Sequence, residues 1–83
     1  MCTNIATTAR IAGSAKTATG WIKVNEATIV FDHATHAWLD HALRIDFIGG
    51  SDRAAVELDL ASARALRERL DEVIAAAEAS GVL

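Results

Sequence analysis

The hydropathy period changes once along this chain, at Asp59, and that change restricts the fold more than any motif does. Up to Leu58, stretches of apolar residues recur at every second position, the spacing of strands that turn one face to a core. Beyond it, Leu60, Ala63, Leu66, Leu70, Val73, Ile74 and Ala77 form a stripe at helical spacing. Arg64, Arg67, Glu68, Glu72 and Glu78 mark the opposite side. Asp59 suits an N-cap and Gly81 a stop, so a helix is expected over roughly 60–80.

The alternating part divides at its turn signals. Ile5, Thr7, Ala9 and Ile11 alternate with Asn4, Thr8 and Arg10, which predicts a first strand within 3–14. "TATG" at 17–20 reads as a turn, and "WIKVNEATIVFD" after it as a second strand that is long or bulged. In "ALRIDFIG", Leu43, Ile45 and Phe47 point one way and Arg44 and Asp46 the other. "GGSD" at 49–52 has hairpin-turn chemistry, and "AAVELD" returns antiparallel. The fold class that follows is α+β: a small antiparallel sheet of three to four strands, with one long C-terminal helix packed across one face. That helix is expected to bury Ile29, Phe31, Leu43, Ile45, Phe47, Val56 and Leu58. The other face collects Arg10, Glu26, Thr28, Val30, Asp32, Arg44, Asp46 and Glu57. It reads as cross-strand ion pairing left in water or stacked on a second subunit, with carboxylate binding or acid/base work as the alternative.

A chain of 83 residues makes a single domain, 1–83. At this size folding buries only about 60% of the unfolded surface, so an oligomer or a bound metal is an expected source of stability. Self-association as a homodimer or higher oligomer is the expected partnership, with a small-molecule substrate beside it. Eight Lys and Arg against eleven Asp and Glu, net charge -3, argue against nucleic acid, whose phosphates need concentrated positive charge. No apolar run approaches the ~20 residues that span a bilayer, and the start lacks the layout of a signal peptide. A cytoplasmic protein without membrane contact is expected. One cysteine cannot form an internal disulfide, which fits a reducing compartment.

The chemistry concentrates in "DHATHAWLDH", 32–41, which holds all three histidines, His33, His36 and His41, flanked by Asp32 and Asp40. Imidazole is the commonest metal ligand, and two or three nitrogens with a carboxylate suit a divalent transition metal: zinc, copper, nickel or iron. Coiled into a helical turn, the segment sets His33, His36 and Asp40 on one face; extended, it separates His33 from His36. The plain alternative is a polar loop whose Trp38 and Leu39 plug the core edge. Cys2 is the second candidate. Removal of Met1 exposes an amine beside a thiol, able to chelate a metal or to act as a nucleophile with its own amine as base. If the first two strands form a hairpin around "TATG", Cys2 returns to the end where the second strand delivers Asp32 and His33. Trp21, a further candidate for a subunit contact, is more simply a half-buried hairpin residue.

The opening "MCTNIATTARIAGSAK", the segment "GWIKVNEATIVFDHATHAWLDHALRIDF" and the "SARAL" helix resemble a small, uncharacterised family of actinobacterial proteins of about this length. The resemblance covers nearly the whole chain and implies a free-standing single-domain protein, without assigning an activity or site residues.

Three functions are therefore weighed. The first is metal binding through His33, His36 and His41 with Cys2 or an aspartate, and with Asp32 or Asp40 beside an open position for lyase, isomerase, cyclase or hydrolase chemistry. The second is a metal-free enzyme with Cys2 as N-terminal nucleophile. The third is a non-catalytic binding or accessory protein that acts as a homo-oligomer. Whether the chain is an enzyme is left open by the residues themselves.

Overall fold

The computed structural model of the chain describes residues 5–33 and 41–82. Four strands, β1 (Ile5–Thr17), β2 (Gly20–His33), β3 (His41–Gly49) and β4 (Asp52–Leu58), precede one helix, α1 (Leu60–Ala79). The strands form a single antiparallel sheet in the order β1-β2-β3-β4, each paired with its neighbour in sequence. This is the α+β arrangement that the change of period predicts.

Both tight hairpins have two-residue loops. Thr17 pairs with Gly20 around Ala18 and Thr19, and the Thr17 hydroxyl donates to the Gly20 carbonyl at 2.9 Å. Gly49 pairs with Asp52 around Gly50 and Ser51. Gly50 takes φ 61°, the positive value that the first position of such a turn demands. Gly49 is needed for a different reason: a Cβ there would fall onto the Lys23 carbonyl of β2.

The expected bulge belongs to the first strand rather than the second. Arg10 pairs with Glu26 but Gly13 pairs with Val24, so Ile11 and Ala12 together oppose Asn25. The extra residue inverts the phase of β1. Ala6, Thr8 and Arg10 lie opposite even-numbered residues of β2 before it, and Gly13, Ala15 and Thr17 do so after it. β1 thereby runs on to Thr17 instead of ending near Ser14, as the alternation of its first half implied.

The helix is where expectation and structure differ most. Asp59 caps it as anticipated, its carboxylate accepting the Ser62 amide at 2.7 Å. Bonds to the Ser62 side chain and amide hold the Asp59 carboxyl below its ordinary range. Yet no residue of α1 is buried, and none of the seven sheet residues expected beneath it is fully buried, although all except Val56 are largely covered. Val56 is 44% exposed, and Leu66, Leu70, Val73 and Ile74 lie between 47% and 66%. One residue, Asp59, joins the edge strand β4 to the helix, so α1 sets off from the sheet margin. Toward the sheet, Leu60, Ala63, Leu66 and Leu70 line an open trough of about 410 Å³ with Ile29, Leu43 and Ile45, and Arg64 and Arg67, expected on the opposite side of the helix, line it as well.

The buried positions are instead Val24, Ala27, Val30, Ala42 and Asp46. All but Ala27 belong to the even-numbered face of β2 and β3, away from the trough. No described side chain is completely enclosed. The chain exposes 6413 Å², whereas a folded monomer of 8.8 kDa exposes about 4,800 Å². Its radius of gyration, 14.5 Å, likewise exceeds the roughly 12 Å of a compact domain this long.

Candidate functional site

The end of the sheet between β2 and β3 carries the histidines. His33 is the last residue of β2 and His41 the first of β3, and antiparallel pairing sets them directly opposite each other. Facing positions in a sheet bring side chains into contact. Their rings lie 4.4 Å apart, centroid to centroid, tilted by 32°. His41 also stacks on Phe31 at 5.5 Å with an interplanar angle of 19°. Three rings thus form a short ladder across the two strands. Beside it, the Asp32 carboxylate accepts the His33 amide at 2.7 Å.

Both histidines are therefore strand residues, and what joins them is register rather than helical spacing. His36, Asp40 and Trp38 lie outside the described residues, as does Cys2. The hairpin geometry on which a meeting with Cys2 depends is nevertheless present: Ile5 pairs with Phe31, two residues before His33. β1 thus begins at the edge from which β2 delivers Asp32 and His33. Among the described residues, no group of three or more His, Cys, Asp or Glu side chains converges as metal ligands do.

The geometry of the pair can be compared with the needs of an ion. With Zn–N bonds of about 2.0–2.1 Å and a tetrahedral angle between them, two imidazole ligands hold their centroids about 5 Å apart. The His33 and His41 rings, at 4.4 Å, come within about an ångström of that spacing. As it stands, the ladder also packs as an ordinary aromatic cluster.

The even-numbered face resolves into ion pairing around Asp46. Its carboxylate, 8% exposed, accepts a hydrogen bond from Arg44 Nε at 3.1 Å. The other oxygen lies 3.2 Å from Arg53 Nε, an ion pair without hydrogen-bond alignment. Thr8 and Thr28 meet across β1 and β2 through their hydroxyls at 3.3 Å. Arg53 was not among the residues singled out on this face. It follows the hairpin turn, where charge is common, and only the pairing of β3 with β4 brings it to Asp46. Trp21 is 68% exposed and lies opposite Lys16 near the first turn, far along the sheet from the histidines.

Among the described residues no helix is long and apolar enough to cross a membrane. The Family of unknown function (DUF6295) matches residues 1–83, and the chain belongs to that family. Neither the curated proteins nor the solved structures include a match to it.

Proposed function

Within that family of unknown function, we propose that this chain is a small metal-binding protein that works as a homo-oligomer, with His33 and His41 as the central ligand pair. The observation that carries this reading is their placement on directly opposed positions of β2 and β3, with rings 4.4 Å apart. His36, Asp40 and Cys2 are the proposed source of the remaining ligands, and chain connectivity keeps each within a few residues of the pair or of the edge where β1 begins. The ion is a divalent transition metal such as zinc, copper, nickel or iron, which take imidazole readily. With a coordination position left open beside Asp32 or Asp40, it would polarise a carbonyl or activate water.

Elemental analysis of protein purified without chelator or affinity tag tests the reading. Content near one equivalent per chain or per dimer, lost in His33→Ala and His41→Ala, is the expected result; less than about a tenth of an equivalent per chain rejects it.

Self-association has its own support in the surface area. The exposed area exceeds that of a monomer of this mass by about 1,600 Å². A non-catalytic accessory role needs only this second property. That reading predicts loss of function when the oligomer is broken and none when the histidines are replaced.

A further inference from the structure

We infer that the helix stripe and the apolar sheet face beside it are the seat of a second copy of this chain, with the two helices packed antiparallel about a twofold axis. The inference rests on the self-association reading and adds to it the surface and the arrangement. The polar, even-numbered face, which the sequence also offered as a stacking surface, is not the interface.

Exposed apolar residues identify the surface. Ile5 and Val56 on the odd-numbered sheet face, with Leu60, Leu66, Leu70, Val73 and Ile74 on the helix, are each 44% exposed or more. The open trough connects the two groups, since Ile29, Leu43 and Ile45 line it together with Leu60, Leu66 and Leu70. By contrast, the even-numbered face already buries Val24, Val30 and Ala42 and closes its carboxylate Asp46 with two arginines. It has little apolar area left to cover.

Area decides that the occupant is large. A 20-residue helix is about 30 Å long, and an obligate homodimer interface of about 2,000–5,000 Å² in all can cover a stripe of that length. A small ligand filling a 410 Å³ trough would reach only the first half of the helix and leave Val73 and Ile74 in water.

Charge decides the identity of the occupant and its direction. Residues 60–69 of α1 carry Arg64, Arg67 and Arg69 against Glu68, and residues 70–79 carry Asp71, Glu72 and Glu78 with no base. The first turn has no acid and the last turn no base, so this distribution opposes the helix dipole, and within one helix Arg69 and Glu72 pair at 3.0 Å where the two halves meet. Laid antiparallel on its own copy, the basic half of each helix meets the acidic half of the other. A twofold interface joins one patch to itself, and helices related by an axis across them run antiparallel. A self-complementary charge pattern is what such an interface requires.

The test is sedimentation velocity on the full chain at about 1–100 µM, concentrations that bracket ordinary homodimer affinities. The wild type sediments as a dimer, and Leu70→Glu raises its dissociation constant by about 100-fold, as expected for an apolar anchor at the centre of an interface. Because Leu70→Glu could also harm folding, two charge variants accompany it, one at the trough-lining Arg64 and Arg67 and one in the acidic half of the helix. Arg64→Glu with Arg67→Glu, and separately Asp71→Arg with Glu72→Arg, each weaken self-association. Mixed in equal amounts, these two variants recover a heterodimer. Arg10→Glu, on the even-numbered face, leaves the dimer intact. A wild-type dimer that survives every helix variant but dissociates with Arg10→Glu overturns the surface assignment alone. A monomeric wild type across the whole range overturns this inference and the self-association reading together, while the metal content of the same sample reports on the histidine pair independently.

Discussion

If the helix finds its packing only against a second copy, folding and association are one equilibrium, and thermal stability depends on protein concentration. The perturbation is simple dilution. Unfolding entropy is about 2.1 cal/mol/K per residue, so two chains of 83 residues unfold with about 0.35 kcal/mol/K. A tenfold change in concentration alters the free energy of coupled unfolding and dissociation by about 1.5 kcal/mol near 60 °C. The ratio is a shift in Tm of about 4 °C per decade, or roughly 9 °C between 2 and 200 µM. Ellipticity at 222 nm followed through reversible melts is a suitable assay, with path length adjusted to concentration. It reads α1 directly, and a 20-residue helix without a single fully buried residue is marginal without a partner. A Tm constant to about 1 °C across that range would refute the reasoning, because a monomer that carries all of its own stability has no such dependence.

Three further outcomes follow from particular contacts. Asp46→Ala leaves Arg44 without its buried acceptor, and because Arg44 and Arg53 are 28% and 61% exposed and can regain water, the loss is about 1–3 kcal/mol in urea unfolding, at the lower end for a broken charge pair. An unchanged midpoint would show that the even-numbered face does not depend on this carboxylate. Gly49→Ala forces a methyl against the Lys23 carbonyl, so β2 and β3 must part there, at about 3 kcal/mol or more. Wild-type stability in that variant would contradict the close approach of the two strands. Finally, the lowered pKa of Asp59 makes its cap a contribution that is fully present above the unfolded carboxyl pKa and lost as pH falls through the folded one. Asp59→Ala therefore lowers Tm at neutral pH, and the gap from wild type narrows in acid; a gap that is constant with pH would remove the charge from the explanation.

Local features were legible in the sequence wherever one side chain sufficed to signal them. Leu43, Ile45 and Phe47 against Arg44 and Asp46 mark β3, and Asp59 marks the helix start, because alternation and capping depend on neighbours within a few residues. The bulge at Ile11 and Ala12 was not legible as part of β1, since Ala, Gly and Ser leave no contrast by which a phase change could be seen. The histidine segment stands out by composition. The relation that matters in it, His33 opposite His41, depends on where two strands align across an intervening stretch, and spacing along the chain does not encode that alignment.

The sequence by itself determined an antiparallel sheet of three to four strands, the C-terminal helix, the hairpin of the last two strands and an amphipathic stripe seeking a surface. Tertiary structure alone decided that the stripe is not covered by the described residues of the chain. The one-residue link at Asp59 ties the helix to an edge strand, and Leu66, Leu70, Val73 and Ile74 keep about half or more of their surface exposed. A periodicity states that a face will be buried; only the placement of the elements shows whether the surface that buries it lies in the same chain.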